Sequence, residues 1–354
     1  MRLRILILFF ACMNFFAFNH LLARNEFRLI DKWSYDELFY GHFFGAVVTD
    51  ETDLIVMFYK GGIKVANGKK NYDFATIGEG PNEVRQFSAI CLYKDRVAEI
   101  ELNRKIQIFK KSNGQYKWEK NIWREEKGCS QIVSSAVFTD GKWFLAGQEY
   151  DFRTRQKGTY HLLRVCDENG TSIKRFIRRD YEEPKRLNLM SFYVSADSKR
   201  VFFIAEDEPV VHVISQNTLT LMKKVKLEMP DFYVQMPNDF YSKEIKKNSE
   251  QFTVREFLSA VQGWKHSYSR ITNAMIEDEK FVIQIRTCSE KLPRFALLFY
   301  NLQTFLLEET VFTNDFLLTS KSGKYYLFEN GNPGIDDEAG DFVVNICELK
   351  KRGS

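Results

Sequence analysis

The chain has 354 residues, of which 44% are hydrophobic, 28% charged and 15% aromatic, and its formal net charge is +4. This composition excludes a disordered or low-complexity chain, and the nearly balanced charge argues against nucleic acid as the main partner. After residue 23, no apolar run approaches the roughly 18 residues that a membrane-spanning helix requires. Length alone permits one large β domain or two ordinary domains.

The first 23 residues have the pattern of an export signal. A short basic segment, 1–4, precedes an apolar run over 5–18, and Ala23 is a small residue suited to signal peptidase. Two alternatives to cleavage stay open. Cys12 follows a short apolar stretch, as in a lipoprotein, and the whole segment is also compatible with an uncleaved anchor. All three interpretations place the folded part of the chain outside the cytoplasm.

A unit of two hydrophobic segments joined by a short polar turn recurs six times after the leader. The turns are marked by Asp50, Asp95, Asp140, Asp197, Asp278 and Ser322. Three of the intervals between these markers are about 45 residues, which is the size of a four-stranded propeller blade. The two longer intervals contain insertions, and a second strand pair follows the turn in most copies.

This repeat predicts an all-β fold, a six-bladed β-propeller with four-stranded blades over residues 24–350, followed by a short tail at 351–354. Continuous apolar runs such as 54–59 indicate central strands that are buried on both faces. The aromatic side chains are expected to fill the wedges between blades. The leftover segment 27–30 predicts that the N-terminal strand completes the last blade, because closing the ring removes an exposed sheet edge.

Between the fourth and fifth turns the pattern becomes helical, which predicts a small insertion at about 230–265. Thr253 and Glu256 have the spacing of a capping box. Apolar residues recur on one helical face at Val254, Phe257, Leu258 and Val261. We expect this insertion to cover the side of a blade, and the alternative is a lid over one mouth of the ring.

One segment carries a family resemblance. Ile77-Gly-Glu-Gly-Pro-Asn-Glu83-Val, then 87–90, then Asn103-Arg-Lys-Ile-Gln-Ile-Phe109, resembles the six-bladed TolB-like propellers of envelope and secreted proteins of Bacteroidetes-type bacteria. The segment is also similar to NHL-repeat blades, although Val84 stands where such motifs often have an aromatic residue. The resemblance implies the fold and an extracytoplasmic location, and it implies no settled activity.

Two sets of polar residues are weak candidates for binding. The first flanks the Gly-Pro turn and comprises Glu79, Glu83 and Arg85. The second lies in an acidic loop and comprises Asp336, Asp337, Glu338 and Asp341. Calcium prefers several oxygen ligands on a flexible turn, so the acidic loop is the candidate calcium site, although its order does not match an EF-hand. A plain turn and a solvated hairpin loop are the preferred explanations of the two segments, and no other cofactor is expected.

Zinc and nucleophile motifs are missing from the sequence. Six cysteines show no C-x-x-C spacing, four histidines follow the leader without a His-x-x-x-His pair, and no Gly-x-Ser-x-Gly occurs. One disulfide is compatible with an oxidising compartment, but the spacing does not choose the pair.

We therefore expect an exported, non-enzymatic propeller that binds a protein, peptide or glycan across one face of the ring. The alternative is a metal-dependent propeller enzyme, an NHL-type lyase or a lactonase-like hydrolase, with its site in the central channel. The scarcity of histidine favours binding over this alternative. A third hypothesis is a structural subunit of an envelope complex.

Overall fold

The structure is a computed structural model of the chain. It describes residues 25–39, 43–58, 62–68, 70–78, 83–84, 89–101, 105–124, 130–150, 159–180, 191–237, 266–329 and 340–351. Apart from turns and loops, the described residues are almost entirely β-strands, which form six sheets arranged as the blades of a propeller. The predicted fold class is therefore confirmed. The leader, Cys12 and the proposed helix at 253–261 lie outside the described residues.

The strands are numbered in chain order. Strand β1 spans Asn25–Phe39. Blade 1 contains β2 (Phe43–Val48), β3 (Leu54–Phe58), β4 (Gly62–Ala66), β5 (Asn71–Ile77) and β6 (Glu83–Val84). Blade 2 contains β7 (Ala89–Tyr93), β8 (Arg96–Ile100), β9 (Lys105–Ser112) and β10 (Gln115–Trp123). Blade 3 contains β11 (Ser130–Thr139), β12 (Lys142–Tyr150), β13 (Thr159–Asp167) and β14 (Ser172–Asp180).

The second half of the chain repeats this plan. Blade 4 contains β15 (Phe192–Ala196), β16 (Arg200–Ala205), β17 (Glu208–Ser215) and β18 (Leu221–Lys226). Blade 5 contains β19 (Arg270–Glu277), β20 (Lys280–Arg286), β21 (Phe295–Asn301) and β22 (Leu307–Thr313). Blade 6 contains β23 (Phe316–Lys321), β24 (Lys324–Phe328), β25 (Gly340–Lys351) and the N-terminal strand β1.

The ring closes through the two ends of the chain. Strand β1 is the outermost strand of blade 6 and pairs antiparallel with β25, from Asn25 opposite Lys351 to Phe39 opposite Gly340. The predicted closure by the N-terminal strand is confirmed. Blade 1 differs from the others because the two-residue strand β6 adds to its edge in parallel with β5.

The predicted turn markers are the links between the first and second strands of each blade. Asp140 and Gly141 have φ of 49° and 66°, and Ser322 and Gly323 have φ of 54° and 74°. Positive φ at both central residues is the requirement of a type I′ turn, whose twist matches that of the paired strands. Aspartate, serine and glycine tolerate this conformation, so the local sequence sets the start of each blade.

The buried aromatic and aliphatic side chains lie in six clusters, each formed mainly by two neighbouring blades. At the junction of blades 6 and 1, Phe58 packs edge-on against Phe342 with ring centroids 5.7 Å apart. Between blades 2 and 3, Tyr93 stacks on Trp143 at 5.1 Å. The predicted role of the aromatic residues as packing between blades is confirmed.

The two faces of the ring differ in their connections. On one face, which we name the hairpin face, short turns such as 94–95, 140–141 and 278–279 join consecutive strands. On the other, which we name the loop face, the inner strands begin, and the connections include 181–191 and 227–269. Functional side chains concentrate on loops that a rigid scaffold positions, so we expect a functional site on the loop face.

Candidate functional site

The first strand of every blade lines a central channel. A cavity of about 700 Å³ lies there and is bordered by residues of β2, β7, β11, β15, β19 and β23. Each inner strand pairs with one neighbour in its own blade, so its other edge presents backbone donors and acceptors toward the channel or the next blade. The side chains of the channel wall therefore decide which of these groups remain available to a ligand.

Inside the channel, several polar side chains bridge neighbouring blades. Ser134 Oγ of blade 3 donates to the carbonyl of Phe192 in blade 4 and accepts from its N–H, both at 2.9 Å. Asn273 Nδ2 of blade 5 donates to the carbonyls of Leu317 and Leu318 in blade 6, at 2.8 and 3.1 Å. These bonds satisfy the exposed edges of inner strands, so these polar groups hold the ring together.

The loop-face mouth carries an ion pair between two blades. Glu206 follows the second strand of blade 4, and Arg270 begins the inner strand of blade 5. Arg270 Nη1 lies 3.3 Å from Glu206 Oε1, while the backbone N–H of Ser191 donates to Glu206 Oε2 at 2.8 Å. The backbone is tied there as well, because the N–H of Ile271 donates to the carbonyl of Glu206 at 3.0 Å.

Tyr193 lies below this pair on the channel wall. Burial raises the pKa of its hydroxyl, and the nearby Glu206 carboxylate raises it further. The hydroxyl stays protonated at neutral pH and donates to the carbonyl of Ile271 at 3.3 Å. Tyr193 therefore acts as a further bridge between blades 4 and 5 beneath the charged pair.

Other blades contribute apolar residues to the same mouth. Phe43 of blade 1 contacts Phe316 of blade 6 edge-on, with ring centroids 5.2 Å apart, and both residues border the cavity. Ile132 of blade 3 also borders the cavity and keeps 42% of its surface exposed. An apolar wall with a few fixed polar groups is the usual chemistry of a binding pocket.

The residues predicted from sequence lie elsewhere or outside the described part of the chain. Glu79 and Arg85 are outside it, whereas Glu83 is on the edge strand β6 of blade 1. The carbonyl of Glu83 accepts a hydrogen bond from Gln107 Nε2 at 2.7 Å, which ties blade 1 to blade 2. The Gly-Pro segment thus leads into a small edge strand, and ligand binding by these three residues stays a prediction.

The proposed calcium loop is also largely undescribed. Asp336, Asp337 and Glu338 lie outside the described residues, and Asp341 is an exposed residue at the start of β25. Among the described residues, no group of three or more histidine, cysteine, aspartate or glutamate side chains is placed to hold a metal ion. The calcium site stays a prediction.

Four cysteines are described, and each is a free thiol. Cys91, Cys166 and Cys347 are buried in the packing between blades. Burial raises the pKa of the Cys91 thiol to about 12 and that of Cys347 to about 11. They act as small hydrophobic groups, as the apolar strands around them predict.

Sequence reasoning missed the Glu206 and Arg270 pair. The two residues are 64 positions apart, and only the order of the blades brings them together. A signal was present, because Glu206, Asp207 and Glu208 directly follow an apolar strand that ends at the loop face. Arg270 gave no comparable signal.

The sequence matches no protein-family model, and no curated protein matches it. Several solved structures are similar in shape. One, named as an exported protein of Bacteroides fragilis, has 12% identity and a TM-score of 0.54, over 92% of this chain and 96% of its own. The extracellular domain of a hybrid two-component system from B. thetaiotaomicron has 11% identity and a TM-score of 0.43, over 86% and 32%. Glutaminyl cyclase of Myxococcus xanthus has 9% identity and a TM-score of 0.33, over 74% and 92%. At such identities the first of these shows a shared fold.

Proposed function

We propose that this protein is an exported, non-enzymatic binding module that holds a protein, peptide or glycan over the loop-face mouth of the ring. The observation that carries the proposal is the composition of that mouth. The apolar residues Phe43, Ile132 and Phe316 and the ion pair of Glu206 and Arg270 lie together at the entrance of a cavity of about 700 Å³. Long connections between strands start and end at this face.

The state of the polar groups favours binding over catalysis. Of the described residues that border the cavity, Glu206 and Arg270 carry the charge, and each is held by the other. The hydroxyl of Ser134 and the amide of Asn273 are engaged between blades. Fixed groups of this kind orient a partner through hydrogen bonds, whereas proton transfer needs a base with a free lone pair near the reacting atom.

Export rests on two observations from the sequence. The basic and apolar leader over residues 1–23 predicts translocation, and the segment 77–109 resembles TolB-like and NHL-like propellers of the bacterial envelope. Both support a location in the periplasm or at the cell surface. A propeller at that location meets proteins, peptides and glycans of the envelope.

A screen with two matched variants tests this function. The purified protein is probed on arrays of peptides and bacterial glycans, and retained ligands are analysed by mass spectrometry after incubation. We expect the retained ligands to be recovered unchanged. Ile132→Ser should weaken the binding signal on the arrays. Leu29→Ser is the control, because it removes an exposed aliphatic group on the outer edge of blade 6, and it should leave the signal unchanged. A ligand that is cleaved, together with a stoichiometric metal in elemental analysis, would favour the metal-dependent enzyme instead.

A further inference from the structure

The outer edge of blades 3 and 4 is unusually basic. The outermost strand of blade 3, β14, contains four basic residues and a single acid, Asp180, at its end. The outermost strand of blade 4, β18, contains three lysines and no acid. Lys174, Arg178, Lys223, Lys224 and Lys226 are all exposed. We name these five cations the basic rim.

The two strands of the basic rim are neighbours in space. Arg179 Nη2 at the end of β14 lies 3.2 Å from Glu208 Oε2 at the start of β17, which pairs with β18. His212 of β17 lies between them. Its pKa is lowered to about 4, mainly by burial, and the positive charges of Lys224 and Arg179 lower it further. Lys224 of blade 4 and Arg179 of blade 3 thus both act on His212, so the basic strands of the two blades share one region of positive charge.

Exposed aliphatic side chains accompany these cations. Ile173, Leu221 and Met222 stand at the first positions of β14 and β18, and Leu306 immediately precedes β22 of blade 5. Met222 is 58% exposed and Leu306 is 61% exposed. All of them are next to turns of the hairpin face, on three consecutive blades, so they belong to one side of the ring.

Lys223 joins the apolar and basic parts of this surface. Its Nζ donates to the carbonyl of Gln303 at 3.4 Å and lies 4.6 Å from the centre of the Phe305 ring. The aliphatic stem of Lys223 therefore crosses from β18 to the turn that precedes Leu306. Leu221 and Met222 precede Lys223 on β18, and Leu306 follows Phe305, whose ring Lys223 contacts, so these exposed apolar residues are next to a cation along the chain or across the two blades.

We propose that this side of the ring docks on an anionic lipid bilayer. Interfacial binding requires apolar side chains that enter the headgroup region together with lysines and arginines that pair with anionic headgroups, and both are present on one surface. The surface is formed by the outermost strands of blades 3 and 4 and by the turn that precedes β22 of blade 5. Among the described residues no helix is long and apolar enough to cross a membrane.

This docking is independent of the proposed function at the channel mouth. The basic rim lies along the outermost strands of blades 3 and 4, with the exposed apolar side chains at the hairpin-face ends of these strands, whereas the mouth opens at the centre of the ring on the loop face. Attachment by the rim leaves the mouth open to a partner in the surrounding compartment. The protein then binds its ligand next to a membrane surface.

Vesicle flotation of the protein, purified as the cell exports it, tests the proposal. The probes are vesicles of phosphatidylcholine alone and of phosphatidylcholine mixed with phosphatidylglycerol. We expect binding to the mixed vesicles that weakens as salt is added, because exposed charges are screened. The neutral vesicles report any contribution of a retained apolar N-terminus, which does not depend on lipid charge.

Four variants locate the contact. We expect Leu221→Ser/Met222→Ser and Lys224→Glu/Lys226→Glu to weaken binding to the mixed vesicles at least about tenfold, since each basic residue near an anionic surface contributes about a fivefold change. Leu29→Ser/Ile30→Ser on blade 6 and Lys110→Glu/Lys117→Glu on blade 2 make the same changes at other exposed sites and should bind like the wild type. Circular dichroism verifies that each variant is folded.

Three results would overturn the lipid assignment. The first is wild-type protein that ignores both kinds of vesicle or binds them equally. The second is that Leu221→Ser/Met222→Ser and Lys224→Glu/Lys226→Glu bind the mixed vesicles as well as the control variants do. The third is wild-type protein that is retained by an anionic polysaccharide but not by the mixed vesicles, which would assign the basic rim to a glycan.

Discussion

The carboxylate of Glu206 lies 3.3 Å from the guanidinium of Arg270 across the junction of blades 4 and 5. Glu206 also accepts the N–H of Ser191 at 2.8 Å, so one side chain ties the entry of blade 4 to the start of blade 5. The pair stands at the loop-face mouth of a channel to which Phe43, Ile132 and Phe316 contribute apolar surface. This combination of a fixed charge pair and an apolar wall is the basis of the proposed binding site.

Closure of the ring predicts a large effect of deleting residues 24–30. This deletion removes the part of β1 that pairs with the end of β25, including Phe27, which packs against Tyr325 at 5.4 Å. The edge of β25 would then be exposed, and an unpaired edge promotes aggregation. We expect a clear fall in Tm by calorimetry and more protein in the insoluble fraction. An unchanged Tm and solubility would contradict closure through this strand.

The buried charges of blade 3 predict a strong dependence on Arg164. Glu149 Oε1 accepts from Arg164 Nη2 at 2.9 Å, and both side chains are almost fully buried. Arg164→Met leaves the carboxylate without this partner, and we expect a loss of about 3–5 kcal/mol in urea unfolding. The double variant Glu149→Gln/Arg164→Met should recover part of that loss. Removing the exposed pair of Arg28 and Glu348 is the control and should cost less than about 1 kcal/mol.

The close contact of two strands in blade 3 predicts that Gly147 tolerates no side chain. A Cβ at this position would lie 1.9 Å from the carbonyl oxygen of Ile132, which is backbone and has little room to move. We expect Gly147→Ala to destabilise the fold by more than about 2 kcal/mol in chemical denaturation. In Gly114→Ala the added Cβ meets nothing within 4 Å, although φ is +77°, so the loss there should stay near about 1 kcal/mol. Equal losses in the two variants would contradict the contact.

His212 predicts a loss of stability in acid. Burial is the main reason why its pKa is lowered from 6.5 to about 4, so the folded protein keeps the imidazole neutral where the unfolded chain is protonated. The contribution of neutral His212 to the stability of the folded protein is therefore complete above about pH 6.5, and it is lost as the pH falls toward 4.

Thermal unfolding between pH 7 and pH 4 measures this effect. Between pH 7 and pH 4 the free energy of unfolding of His212→Gln should fall less than that of the wild type. The difference, which is the contribution of the imidazole, is at most about 3 kcal/mol. Wild-type and variant stabilities that fall in parallel over this range would contradict the assignment.

The fold was predictable because its signals are local. Turns such as Asp140-Gly141 fix a hairpin with two residues, and the strands on either side are apolar runs that need no distant information to recognise. The closing role of β1 followed from counting strands. Strand β6 was not predicted, because two residues joined in parallel to β5 leave no periodic pattern in the sequence.

The candidate site was not predictable in the same way. Glu206 and Arg270 meet only because blades 4 and 5 are adjacent around the ring, and the long connection between them hides the repeat. The basic residues of β14 and β18 form short stretches in the sequence, and the sequence alone explains the first of them, 174–179, as a solvated strand edge. The structure adds that both are outermost strands on neighbouring blades, together with exposed aliphatic groups.

The measurement that tests the central claim most directly is the affinity of a ligand from the arrays for wild-type protein, Ile132→Ser and Leu29→Ser. Isothermal titration calorimetry gives the three Kd values. We predict that Ile132→Ser raises Kd about tenfold, because an aliphatic contact buried on binding contributes about 1.5 kcal/mol, whereas Leu29→Ser leaves Kd within about twofold. A Kd that is the same for all three proteins would contradict binding at the loop-face mouth.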